Sequence, residues 1–345
     1  MHQEAGRPVR LAGTEVPAPR IIALSGTFET ELAAVAALRR VGFEPEVVPL
    51  PERKGWTEDD YVRRISGFDA LIAGADFPIT AKILESGLKA VSLNCTGTDH
   101  VDVARATALG IPVYNTPGLS FDACADLVFG LMLAVMRRIV QGDHAIRSGR
   151  WNAGCERSPS VSGKTLGILG LGSIGLAVCR RAKGFGMEVL AQVRHPKPEL
   201  AAAHGFDYVS REALLARADI LVVCCPLTTE TRGTIDAAAL SAMKPGAVLI
   251  NASRGPIVDT PALLHALRSG HLFGAGLDVY DQEPLWESPL FELENVVLTP
   301  HLAGLADTQI EACAVKASEN LIAFLHGTES YSLVNPDALR KEARS

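Results

Sequence analysis

Short runs that are apolar throughout recur along the chain, and longer stretches with apolar residues at helical spacing separate them. Residues 21–24, 69–73, 90–93 and 111–114 form a first set of runs, and 30–40 carries the helical spacing between the first two. A second set comprises 166–169, 187–191, 220–225, 247–251, 274–279 and 295–299. Runs without alternation are those of strands buried on both faces, and their alternation with helices predicts parallel sheets covered on both sides. A longer helix is expected over 122–147, ending near Gly149 and leading into a turn-rich segment, 151–162. The predicted fold class is α/β, with two doubly wound parallel-sheet domains.

Composition narrows the picture. A chain of 345 residues suggests about two domains, and 48% hydrophobic content supplies a core for each. The net charge of −6, without a long basic block, argues against a nucleic-acid partner. No apolar run approaches the ~20 residues that span a membrane. Residues 1–20 read as a polar, proline-containing leader without an apolar signal core. The seven cysteines are scattered, and none forms a C-x-x-C pair. They read as small buried hydrophobes with reduced thiols, which points to the cytoplasm and to no metal site.

The first chemistry-bearing motif follows the strand at 166–169. Gly170-Leu171-Gly172-Ser173-Ile174-Gly175 opens a helix-like segment. In a dinucleotide site the first glycine permits the turn, the second lets a pyrophosphate approach the backbone, and the third lets helix and strand pack closely. The unpaired N–H groups at the helix start then favour the anion. Parallel sheets bind ligands at the carboxyl ends of their strands. Arg254, Asp278, Glu283 and His301 all fall at such ends. Asp278 sits in an apolar pattern, and a buried carboxylate there needs a partner.

Several segments together resemble the D-isomer-specific 2-hydroxyacid dehydrogenases. They are Asn251-Ala252-Ser253-Arg254-Gly255-Pro256-Ile257-Val258-Asp259, the segment from Gly276 through Asp278 to Pro284, and Thr299-Pro300-His301-Leu302-Ala303-Gly304. The glycine motif, Gly97-Thr98-Asp99-His100-Val101-Asp102 and Asn115-Thr116-Pro117-Gly118 agree. The resemblance covers roughly residues 20–335. It implies a flavodoxin-like substrate domain, 1–116 and 304–345, completed by the helix after His301. It also implies a Rossmann-type dinucleotide-binding domain, 117–303. The chain has no counterpart of the regulatory extension of longer phosphoglycerate dehydrogenases.

The resemblance further implies that Arg254, Glu283 and His301 are catalytic in hydride transfer between a nicotinamide cofactor and a small 2-oxo or 2-hydroxy acid. His301 would exchange the proton, Glu283 would orient its ring, and Arg254 would grip the substrate carboxylate and carbonyl. Thr96, Gly97 and Thr98 would hold the carboxylate through backbone N–H groups. Cofactor contacts are implied at Gly170, Gly172, Ser173, Ile174, Gly175, Val193, Arg194, Cys225, Pro226, Thr231, Ala252, Ser253, Asp278, His301 and Gly304. Asp278 would hold the carboxamide. Glu283, where formate dehydrogenases of the superfamily have glutamine, favours hydroxyacid chemistry.

Val193 replaces the acid that usually selects NAD, and Arg194, His195 and Lys197 offer positive partners for a 2′-phosphate. The reading leans to NADP. The loop after residues 69–73 lacks the arginine usual in phosphoglycerate dehydrogenases, and Asp76 would repel a phosphate. That favours an uncharged acid such as glyoxylate or hydroxypyruvate over a phosphoglycerate-type substrate. A phosphite-type dehydrogenase is a further alternative. Corepressor-like dinucleotide sensors form a different class, which turnover of any 2-oxo acid would exclude. Asp126 stands where relatives often have glutamate. The family's homodimers use the region that here spans 122–162.

Overall fold

The computed structural model describes residues 18–26, 33–151, 157–330 and 332–340. Most of the leader, the start of the helix expected at 30–40, part of the turn-rich segment and the last five residues lie outside these. The chain divides into two compact units, Met1–Ser120 with Asp307–Ser345, and Phe121–Ala306. The exchange points thus fall three to four residues beyond those expected from the sequence.

The first unit holds β1 (Ile21–Leu24), β2 (Glu46–Val47), β3 (Ala70–Ala73), β4 (Ala90–Leu93) and β5 (Val113–Tyr114). They form one parallel sheet in the order β2-β1-β3-β4-β5. Every residue of β1, β3 and β4 is buried, and the one polar side chain among them, Ser92, donates its hydroxyl to the Ala317 carbonyl at 2.8 Å. One face packs Leu71, Val91 and Val113 against Ile65, Ile83 and Ala106. The other packs Ile21 and Ile72 against Val35, Leu38, Ala317 and Leu321. The last two belong to the helix Asp307–His326, so the segment after His301 does complete this unit.

The second unit holds β6 (Thr165–Leu169), β7 (Glu188–Gln192), β8 (Asp207–Tyr208), β9 (Ile220–Val223), β10 (Ala247–Asn251), β11 (Leu272–Leu277) and β12 (Val296–Leu298). Their order is β12-β11-β10-β9-β6-β7-β8, again all parallel. Hydrophobic clusters cover both faces. Each fully buried Leu, Ile or Val contributes roughly 1.5–3 kcal/mol, so the sheet centres anchor both units. Strand order reverses between β1 and β3 in one unit and between β6 and β9 in the other. Such reversals open the crevices where doubly wound sheets take ligands.

Two expectations change. The helix over 122–147 is two helices, Phe121–Met136 and Ile139–Arg147, because Arg138 takes a left-handed φ of 52°. Its guanidinium lies over the Phe273 ring at 5.2 Å, which offsets part of that conformational cost. The edge strands β2 and β8 were not expected, since two residues are too few to show a pattern. Among the described residues no helix is long and apolar enough to cross a membrane.

Candidate active site

The glycine motif lies where β6 meets the helix Ser173–Gly184. Gly170 has φ of 90°, and a Cβ there would come within 2.6 Å of the Cys225 backbone. Only glycine allows that turn to rest on the end of β9. A Cβ on Gly175 would come within 2.7 Å of the Gly170 carbonyl, so helix and turn touch. At Gly172, which begins the helix without a side-chain cap, a Cβ would meet nothing within 4 Å. Open space, a bare backbone and unsatisfied helix N–H groups are what a dinucleotide pyrophosphate requires, so these residues fit one.

Around this turn, the Gly170 N–H donates to the Gln192 carbonyl at 2.9 Å, which ties the motif to the end of β7. Val193 follows half-buried and Arg194 exposed. The Arg194 guanidinium lies 3.7 Å from the Glu230 carboxylate, and both side chains are about two-thirds exposed. The loop 226–231 is closed by the Thr231 hydroxyl donating to the Pro226 carbonyl at 2.7 Å. Ser253 bonds the Cys225 carbonyl through its hydroxyl, so the ends of β9 and β10 join.

Three loops at the carboxyl ends of β10, β11 and β12 bring the other polar residues together. Arg254 follows Ser253, and its carbonyl accepts from the Asn251 amide at 2.9 Å. Gly255 next to it packs against Tyr280 so tightly that a Cβ would lie 1.9 Å from the Tyr280 carbonyl carbon. That contact sets the Arg254 turn against the loop carrying Glu283. Glu283 accepts the Tyr280 N–H at 2.9 Å through Oε1 and meets His301 Nδ1 at 2.7 Å through Oε2.

His301 has φ of 54°, a left-handed conformation that costs a non-glycine residue about 1 kcal/mol. Asp278 holds it there. The Asp278 carbonyl accepts the His301 N–H at 2.9 Å. Its carboxylate accepts the N–H groups of Leu302 and Ala303 at 2.7 and 2.9 Å, and the Thr299 hydroxyl. Asp278 is 0% exposed, so its partners are these loop donors. This is the partner that the apolar pattern around it demanded.

Electrostatics set the proton inventory. The Glu283 hydrogen bond raises the His301 ring above its ordinary value, against the opposing pull of burial and of Arg254. Burial pushes the Glu283 carboxyl up, but the His301 and Tyr280 hydrogen bonds and the charges of His301 and Arg254 carry it below its usual range. Arg254 thus acts on both members of the pair. With Glu283 as acceptor the imidazole carries its proton on Nδ1, and Nε2 has no hydrogen-bond partner among the described residues.

The first unit presents its own carboxyl edge. The Asn115 amide donates to the Thr96 carbonyl at 2.8 Å, and the Thr96 hydroxyl donates to the Thr116 carbonyl at 3.2 Å, which fixes the loop holding Gly97 and Thr98. Asp76, expected to stand bare against a ligand, has its carboxylate 2.6 Å from Arg53, whose side chain is 0% exposed. The loop after β3 carries no arginine of its own, and Arg53 reaches Asp76 from the turn Leu50–Arg53. Sequence reasoning passed over it, as it passed over Glu230. Asp126 bonds Arg181 at 2.7 Å, and Asp122 takes the same guanidinium at 2.9 Å, so Asp126 joins two helices of the second unit. Among the described residues no cluster of His, Cys, Asp and Glu could hold a metal ion.

Residues 129–303 match the family described as D-isomer specific 2-hydroxyacid dehydrogenase, NAD binding domain. A glyoxylate reductase of Thermococcus litoralis is 42% identical over 287 residues, 81% of this chain and 87% of that one. A crystal structure of a Thermus thermophilus protein superposes with a TM-score of 0.82 at 40% identity, covering 91% of this chain and 99% of that one. An NADPH-dependent glyoxylate/hydroxypyruvate reductase of Sinorhizobium meliloti, solved with citrate, gives a TM-score of 0.79 at 32% identity, covering 92% and 99%.

Proposed function

The chain belongs to the D-isomer-specific 2-hydroxyacid dehydrogenases, nicotinamide-dependent oxidoreductases that transfer a hydride, and from that premise we propose that it reduces a small 2-oxo acid without a charged distal group, using Arg254, Glu283 and His301. The single observation that carries the assignment of residues is the 2.7 Å bond between Glu283 and His301 Nδ1, which leaves Nε2 open. When bound, the reduced nicotinamide supplies the hydride to the carbonyl carbon. Protonated His301 gives its Nε2 proton to the carbonyl oxygen as that oxygen gains charge, and the ring is left neutral, keeping its Nδ1 proton and donating it in a hydrogen bond to Glu283. In the reverse direction neutral His301 takes the hydroxyl proton. Glu283 stabilises the imidazolium and keeps the ring oriented. Arg254 binds the substrate carboxylate and polarises the carbonyl, for which its planar fork suits better than an ammonium.

The finer readings stand on particular residues. Backbone N–H groups at Thr96, Gly97 and Thr98 hold the substrate carboxylate. NADP is preferred, on the grounds of Val193 in place of an acid and of Arg194 on the following turn; the nearby Glu230 works against that preference. The S. meliloti relative is NADPH-dependent by its description, which supports the same choice. The remaining cofactor contacts, from Ser173 and Ile174 through Cys225, Pro226, Thr231, Ala252 and Ser253 to Gly304, follow the family pattern. A homodimer in the cytoplasm completes the reading; Ile139, Val140, Ile146 and Trp151, all exposed and apolar, support the dimer.

The test is steady-state turnover followed by the near-ultraviolet absorbance of the reduced cofactor, pairing NADPH and NADH with glyoxylate, hydroxypyruvate and 3-phosphohydroxypyruvate. Faster NADPH-driven reduction of an unphosphorylated acid is expected. Preference for NADH with the phosphorylated acid would overturn the cofactor and substrate choices together. No turnover with any pair would overturn the 2-oxo acid reading itself.

A further inference from the structure

We infer that Tyr280 is a positioning residue for the proton transfer: its hydroxyl and its N–H hold His301 and Glu283 in the geometry that joins them. This deepens the 2-oxo acid reading above and rests on it.

All three residues of that reading lean on Tyr280. The Glu283 carboxylate takes the Tyr280 N–H at 2.9 Å through Oε1, which leaves Oε2 for His301 Nδ1. Gly255, next to Arg254, packs on the Tyr280 peptide, where a Cβ would lie 2.1 Å from its carbonyl oxygen. The Tyr280 hydroxyl stands between two strand ends, 2.8 Å from the Thr299 carbonyl and 3.1 Å from the Leu277 carbonyl. Leu277 ends β11 and Thr299 follows β12, so the hydroxyl closes the last rung between these strands.

For His301 the Thr299 carbonyl is the decisive contact. It accepts the His301 N–H at 3.1 Å as well as the Tyr280 hydroxyl. A carbonyl oxygen has two lone pairs, and here both are taken. The peptide before Pro300 therefore cannot swing without breaking a bond, and the left-handed turn that carries the imidazole keeps its tilt. Asp278 grips the same turn through the Thr299 hydroxyl and the N–H groups of Leu302 and Ala303. Tyr280 adds a link from that turn to the loop of Glu283.

Packing alone does not call for the hydroxyl. The half-buried ring lies against the apolar cluster that includes Ile257 and Leu290, and phenylalanine would fill the same space. Burial, with the charges of Asp278 and Glu283, pushes the phenol up to about 12. The group stays protonated and neutral through the working range, so it acts on His301 by position and not by charge.

The experiment compares wild type, Tyr280→Phe and Tyr280→Leu as full chains, measuring kcat, KM and their pH profiles with NADPH and glyoxylate. Tyr280→Phe is expected to lower kcat by about tenfold and to change the KM for glyoxylate by less than about twofold. The split arises because the Arg254 turn rests on the Tyr280 peptide, which the variant keeps. The fall of kcat/KM with rising pH should begin at lower pH, because a looser Glu283 bond raises the ring less. Glu283, Arg254 and Asp278, the charged groups that act on that ring, are unchanged in the variant. A ring that merely fills space would leave Tyr280→Phe like wild type and show its loss only in Tyr280→Leu, which overturns the inference. So does a Tyr280→Phe enzyme whose kcat and KM worsen together with the pH profile in place. An NMR titration of the His301 ring reads the same pair without turnover. A lower pKa in Tyr280→Phe than in wild type is expected, and equal values overturn the inference. A wild type that turns over no 2-oxo acid overturns the 2-oxo acid reading, whereas the titration still decides whether Tyr280 holds the pair.

Discussion

At the carboxyl edge of the seven-stranded sheet, polar residues are tied both within their own loop and to the loop after the next strand. Asp278 holds residues 299–303, Glu283 takes the N–H of Tyr280, and Asn251 closes on Arg254. At the carboxyl edge of the five-stranded sheet, single residues from β1, β3, β4 and the turn Leu50–Arg53 meet only through folding. The first arrangement makes each loop a rigid bracket that delivers one functional group. In the second, each group depends on a different segment, so its members can be changed one at a time. Catalysis tolerates little displacement of its groups, whereas selectivity is tuned by such single changes.

The contrast breaks most readily at His301. His301→Ala should lower kcat/KM by on the order of 10²–10⁴ with every 2-oxo acid, because the proton donor is lost whatever the distal group. An Asp76 variant should instead change the ratio between acids. A His301 effect that differed strongly between substrates would erase the distinction between the two edges.

Next in size is the bracket itself. Asp278→Asn puts an N–H₂ where loop N–H groups and the Thr299 hydroxyl now donate, leaving donor facing donor at a fully buried site. A loss of about 3 kcal/mol in unfolding free energy is expected, read by denaturant titration, together with a fall in kcat as His301 loses its support. Unchanged stability would mean that the left-handed turn at His301 holds without Asp278.

The same contrast explains what could be read beforehand. Apolar runs such as Ile220–Val223 and 247–250 announce strands buried on both faces, and both are. The residues brought together at 254, 283 and 301 each lie in a recognisable short motif, so they could be picked out although their partners come from other loops. Arg53 is not, because nothing around Leu50-Pro51-Glu52-Arg53 indicates that its guanidinium will reach Asp76. Nor did apolar content at 127–140 disclose the break at Arg138, whose guanidinium lies over a ring 135 positions away, Phe273.

A smaller effect sharpens the role of Glu283. Its hydrogen bond raises the His301 pKa above the ordinary 6.5. The stabilising contribution of that pair is therefore complete below about 6.5 and is lost as pH rises through the raised folded value. Reduction, which needs the protonated ring, should follow the same limb and fall as pH rises through it. Glu283→Gln removes the charge and should move this limb to lower pH, measured as the pH profile of kcat/KM. A limb that stays in place would assign it to another group.

The smallest expected change lies at the one part of the seven-stranded edge that is built like the other unit. Arg194 and Glu230 come from different loops, are exposed, and sit 3.7 Å apart, so solvent screens most of their mutual attraction. A 2′-phosphate, with its larger charge and fixed acceptors, competes well for that guanidinium. Arg194→Ala should lower the NADPH-to-NADH ratio of kcat/KM by about tenfold, the equivalent of one charge-assisted hydrogen bond. Glu230→Gln should raise it by a smaller factor, and added salt should shrink both effects because the groups are exposed. If Arg194→Ala leaves the ratio where it was, selectivity rests on Val193 and the space it leaves, and the Arg194–Glu230 contact has no part in the choice of cofactor.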